Sequence, residues 1–135
     1  GGQTMIEVAA GSIKPGGAPT LQPFNASTPS VSLGQQTLVG EIVDSKCFLG
    51  VMNPGQLTPH CACAIRCISG GVPPVLLVRQ KNGPATYLLL VSSDGKPVNQ
   101  QVLDIIAEPV EITGEVERQG ELLILRADPT TYRKL

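Results

Sequence analysis

A chain of 135 residues holds one domain and is too short for two of ordinary size. It is 41% hydrophobic and 16% charged, with 15 glycines and 12 prolines, which supports a core interrupted by many turns. Ten basic against eleven acidic residues, 3% aromatics and no tryptophan exclude the basic, ring-rich surface of a nucleic-acid binder, and no run approaches the roughly 20 apolar residues of a membrane helix.

Residues 1–34 carry Pro15, Pro19, Pro23, Pro29 and six glycines but only two charges, Glu7 and Lys14. Such a stretch buries too little apolar surface to offset its ordering entropy, and it reads as a strap or tether ahead of a domain spanning 35–135. The opening Gly1-Gly2-Gln3 fits either a remnant before a start at Met5 or a segment cut from behind a signal peptide or membrane anchor. The Pro/Gly-rich first quarter favours the second. Four cysteines in a small, turn-rich chain point the same way, to an oxidising compartment. The expectation is an exported, periplasmic or cell-envelope protein that meets a membrane through a missing N-terminal anchor. Asn25-Ala26-Ser27 fits a glycosylation sequon, a pattern common by chance.

From Thr37 the texture changes. Thr37 to Val43 reads as a first strand running into Asp44-Ser45-Lys46-Cys47. After a Gly/Pro-rich connection, Thr58-Pro59 is a helix start and Gly70-Gly71 its stop, which predicts a helix over about 58–69. Val75 to Val78 and Thr86 to Val91 form a hairpin around Lys81-Asn82-Gly83-Pro84. Asn99 is expected to cap a short second helix through Ala107. Val110 to Val116, with Gly114 at a bend or bulge, turns at Gln119-Gly120 into Glu121 to Arg126. The polar tail after Pro129 is expected to fray. Five short strands with turn signals this close together predict a small, mainly β, antiparallel barrel with two short helices.

The closing pair, Val110 to Val116 and Leu122 to Leu125, with a short helix before it, resembles the last strands of OB-fold domains. That resemblance implies an OB-like barrel and no particular activity. A second resemblance rests on three stretches: Gly40-Glu41-Ile42-Val43-Asp44-Ser45-Lys46-Cys47, His60-Cys61-Ala62-Cys63-Ala64-Ile65-Arg66-Cys67 and Gly70-Gly71-Val72-Pro73-Pro74. Together they are similar to a group of uncharacterised exported bacterial proteins. This likeness implies export and a built cysteine site, without a mechanism.

Chemistry concentrates in that second stretch. At about 100° per residue, His60, Cys63 and Cys67 fall within a sector of roughly 60° on the helix, while Cys61 points away from them. Cys47, at the end of the first strand, can meet the stripe across the loop. Three thiolates and one imidazole form a set found in closed tetrahedral zinc sites. Zinc knuckles place two residues between cysteines, however, and Cys63 and Cys67 have three. In ligand type the pair resembles copper-delivery proteins of the thioredoxin fold, whose soft thiolates suit Cu(I), although no thioredoxin-like strand order accompanies it.

The competing reading is a disulfide from Cys47 to Cys63 or Cys67. It would pin the Gly/Pro-rich loop and stabilise by roughly 3 kcal/mol in the chain-entropy model. A redox or catalytic thiol is a third option. The helix N-terminus would favour a Cys61 thiolate, and Asp44 could reach the cluster, but no carboxylate is placed to orient the lone histidine. No catalytic residue is assigned. Glu111, Glu115 and Glu117 share one strand face and read as its solvated side, Ser69-Gly70-Gly71 as a helix cap and Pro73-Pro74 as a rigid strand lead-in. The reading is therefore a binding module for copper or zinc, or a disulfide-stabilised domain presenting its surface to another exported protein.

Overall fold

The computed structural model describes residues 29–48, 58–81 and 83–135. Its longest element is strand β1, Ser30–Asp44, followed by helix α1 (Thr58–Ser69) and strands β2 (Pro74–Val78) and β3 (Thr86–Val91). Strands β4 (Pro109–Gln119), β5 (Leu122–Arg126) and β6 (Arg133–Lys134) follow, with 3-10 turns at Leu103–Ile105 and Pro129–Thr131. Of the segment read as a strap, residues 1–28 lie outside the described residues, and those from Ser30 onward already belong to β1. Among the described residues, no helix is long and apolar enough to cross a membrane.

The strands pair in the order β1-β2-β3-β5-β4, and β4 returns to β1, so five strands close a barrel. The antiparallel expectation needs correction, because β3 and β5 run parallel, with Leu88 opposite Leu123 and Val91 opposite Arg126. Direction follows from the chain of pairings. β1 and β3 point the same way because both are antiparallel to β2. β4 pairs antiparallel with β1, so its hairpin partner β5 runs in the direction of β3.

Period-two alternation fills the interior. In β4, Val110, Ile112 and Val116 are buried while Glu111, Thr113, Glu115 and Glu117 face outward. Ile42, Leu76, Leu88, Leu90 and Leu125 meet the β4 side chains in one core. The outward carboxylates take neighbouring strands as partners: Glu111 accepts from Arg133 at 2.7 Å, Glu115 from Ser32 Oγ at 2.9 Å and Glu117 from Arg126 at 2.7 Å. The face is a polar, cross-linked sheet surface, as its sequence suggests.

α1 covers one end of the barrel, with Ala64 and Ile68 fully buried against Val98, Val102 and Ile106. Its stop is a Schellman arrangement: Val72 N–H donates to Cys67 O and Gly71 N–H to Ile68 O, with Gly71 at φ +101°. The second helix expected over Asn99 to Ala107 reduces to the 3-10 turn at Leu103–Ile105. Asn99 does not cap its own segment. Its side-chain amide donates to Ile68 O and Val72 O, at 2.8 and 2.9 Å, and so closes the end of α1. Ile106 bridges Ile42, and Ala107 N–H donates to Ile42 O, which draws the backbone out of helical pairing.

The tail expected to fray is ordered as β6 along β4. Arg133 pairs with Glu111, and Lys134 lies 3.0 Å from Glu108. Gly114, expected at a bend or bulge, sits in regular register opposite Gln36, and the irregularity in this pair falls between Ser32 and Gln35. The glycine is required by close approach, since a Cβ there would strike the Arg126 carbonyl oxygen and come within 2.7 Å of Ala127 Cβ. Gly114→Ala is expected to destabilise the domain by about 1–3 kcal/mol, as overpacking does. Urea unfolding that gave an unchanged midpoint would refute the contact.

Candidate metal centre

The first ligand is set by the end of β1. Asp44, wholly buried, accepts from Lys46 N–H at 3.1 Å and from Cys47 N–H at 2.5 Å through one oxygen, Oδ1. This Asx-type turn folds the chain sharply back and presents Cys47. On the other side of Cys47, Phe48 packs on a small outer cluster of Val43, Val75 and Leu77, its ring 6.2 Å from that of Tyr87. Cys47 is thus fixed from both neighbours.

The other two ligands come from α1. Burial of Ala64 and Ile68 sets the rotation of the helix, and one turn of spacing places Cys63 and Cys67 on an adjoining stripe. The result is a meeting of three sulfur atoms, those of Cys47, Cys63 and Cys67, all within 4.8 Å of one another and half-buried. Cys47 Sγ and Cys67 Sγ are 3.5 Å apart. None of the four cysteines is in a disulfide, so the expected bridge from Cys47 to Cys63 or Cys67 is not formed in this structure. Cys61 stays off the stripe, half-buried, its thiol 3.7 Å from Ile106 O. His60 belongs to the first turn of α1, three residues before Cys63, and its side chain lies outside the described residues.

All three clustered thiols are held above their ordinary range. For Cys47 the main cause is its hydrogen bond with Cys67, and for Cys63 its hydrogen bond with Cys47, with burial next in both. For Cys67 burial comes first. The Asp44 carboxylate adds repulsion to each thiolate. Three crowded sulfurs beside a carboxylate resist carrying negative charge unless a cation shares it, so a bound soft metal ion would displace their protons. The same shift lowers their thiolate fraction at neutral pH.

Comparison with protein families, curated proteins and solved structures returned no match for this chain. The site therefore speaks through its own geometry. Sequence reasoning named the three sulfurs, missed Phe48 and assigned Asn99 to the cap of its own segment instead of the end of α1. It named Asp44 as a group that could reach the cluster; the Asp44 charge does act on all three thiols, and its carboxylate also shapes the turn. The Asp-Ser-Lys-Cys spacing is the signal that could have exposed that turn.

In the metal-free protein, alkylation of Cys47, Cys63 and Cys67 by iodoacetamide should rise with pH through midpoints above the free-thiol value of about 8.5. A clustered thiol titrating well below that value in site-resolved mass spectrometry would contradict the electrostatics.

Proposed function

We propose that this chain is an exported, non-enzymatic binding module that holds a soft cation, Cu(I) or Zn(II), at Cys47, Cys63 and Cys67. The observation that carries the reading is the convergence of three sulfurs from two separate chain segments within 4.8 Å. Thiolates select soft or borderline ions over Mg(II) and Ca(II), which prefer oxygen. Cu(I) is satisfied by three sulfurs, whereas Zn(II) takes a fourth ligand. The place of His60 in the first turn of α1 supports its imidazole as that fourth ligand, or as one that swings in and out.

Export rests on the Pro/Gly-rich first quarter and on the likeness to exported bacterial proteins. On this reading the module is tethered to the cell envelope and exchanges its ion with another exported protein. An OB-type barrel is the architecture proposed, supported by the five-strand closure and the hairpin of β4 and β5. The alternative, a disulfide-stabilised interaction domain, draws its support from the 3.5 Å between Cys47 and Cys67.

Titration of the reduced protein with Cu(I) or Zn(II) against a competing chelator should give one ion per chain. Cys63→Ser or Cys67→Ser should weaken binding by more than the roughly 100-fold that an outer-shell change costs, while Cys61→Ser should leave it unchanged. Reduced protein that binds neither ion would overturn the metal reading.

A further inference from the structure

We propose that Cys47 and Cys67 form a reversible dithiol–disulfide couple whose oxidation closes the metal site and leaves Cys63 as a single thiol. The metal half of this inference rests on the function proposed above; the pairing of the cysteines does not.

Of the three possible bridges, the one within the helix is disfavoured by its geometry. Of the two from Cys47, the one to Cys67 starts from a 3.5 Å sulfur contact, while Cys63 also hydrogen-bonds Cys47 and lies within 4.8 Å of it. Cys63 and Cys67 lie one turn apart on the same helix, where Cβ atoms are about 5–6 Å apart. A disulfide needs Cβ atoms roughly 3.5–4.5 Å apart. Bridging them would unwind a helix end that is fastened by the Gly71 and Val72 amides and by the Asn99 side chain. Cys47 stands on a different segment, and its sulfur is already 3.5 Å from that of Cys67. Closing to a bond of about 2.05 Å needs an approach of roughly 1.5 Å, within reach of side-chain rotation. Cys67 sits in the last turns of α1, where its own carbonyl is held by Val72 N–H. Cys47 follows the turn organised by Asp44. Both partners are therefore presented to each other by fixed backbone, and neither belongs to the barrel core, so the bridge forms without disturbing Ala64 or Ile68.

The step balances as thiol–disulfide exchange. Two thiols, Cys47 and Cys67, lose two protons and two electrons and form one S–S bond. A low-molecular-weight disulfide accepts them, its own S–S bond breaks, and two small thiols leave. The bridged sulfurs are no longer thiolates, so two of the three proposed ligands vanish together. A bound ion and the bridge exclude one another. Oxidation releases the ion, and the ion protects the pair from oxidation, because each form draws on the same two sulfurs.

The whole chain, reduced and freed of metal, is incubated in glutathione–glutathione disulfide mixtures, quenched in acid, alkylated and mapped by peptide mass spectrometry. The expected product has a Cys47–Cys67 bridge with Cys61 and Cys63 alkylated, forms equally in Cys63→Ser, and is absent in Cys67→Ser. A bridge from Cys63 to either partner, or no bridge at all, overturns the proposal. The bridged and the re-reduced protein are then titrated with zinc and with Cu(I). Binding lost on bridging and regained on reduction supports the coupling, and bridged protein that binds as tightly as reduced protein refutes it. Reduced protein that binds neither ion defeats the metal reading alone, since the peptide map decides the cysteine pairing independently.

Discussion

The molecule depends on β1 serving two neighbours at once. From Ser30 to Glu41 it pairs with β4, and from Glu41 to Asp44 it pairs with β2, so one strand joins both ends of the sheet and closes the barrel. Closure satisfies backbone groups that an open sheet would leave at its edges. Ile42 marks the hand-over: its side chain is fully buried in the core, its backbone bridges Ile106, and its carbonyl accepts from Ala107. Two residues later the strand ends in a buried carboxylate. That ending fixes where the chain leaves the barrel, and Cys47 lies three residues beyond Asp44.

Core packing and site geometry are consequently one problem. α1 is rotated by Ala64 and Ile68, whose burial is the helix's stake in the core; a fully buried isoleucine contributes about 1.5–3 kcal/mol. The same rotation aims Cys63 and Cys67 at the end of β1. Asn99 adds polar specificity, since its amide gives Ile68 O a second donor beside Gly71 N–H and also holds Val72 O just beyond the helix. A helix docked with a different rotation would keep its own hydrogen bonds and lose the three-sulfur cluster. The thiols in turn oppose their own ionisation through mutual contact, burial and the Asp44 charge. Such a cluster has two ways to relieve that opposition: it can share its charge with a soft cation, or it can join two sulfurs in a neutral bond.

Much of this was legible locally. Thr58-Pro59 and Gly70-Gly71 bound α1 because proline fits the first helical turn and glycine its left-handed end, requirements met by a few neighbouring residues. Alternation in Val110 to Val116 identified the two faces of β4, and helical spacing put Cys63 and Cys67 on one stripe. The segment after Asn99 misled because Val102, Leu103, Ile105 and Ile106 offer a helix-like apolar face, yet Val102 and Ile106 are buried by tertiary contact and the chain is drawn to β1 at Ile106 and Ala107. The tail misled through its polarity. Arg133 finds Glu111 on β4 and Lys134 finds Glu108 just ahead of it, and a charge pattern does not disclose partners more than twenty residues away.

The sequence by itself determined that the described part of the chain is mainly β, where α1 runs, and which residue types crowd around Cys47 and the helix. These features follow from backbone preferences and side-chain periodicity, which act over a few residues. Only the tertiary structure decided that β3 and β5 run parallel, that Asn99 closes α1 instead of starting a helix, and that Cys47 meets Cys63 and Cys67. Strand direction is invisible to period-two alternation, and a contact across a loop depends on how the barrel closes. The cysteines were written in the sequence, but their cluster exists because β1 closes the barrel and the helix buries Ala64 and Ile68 against its end.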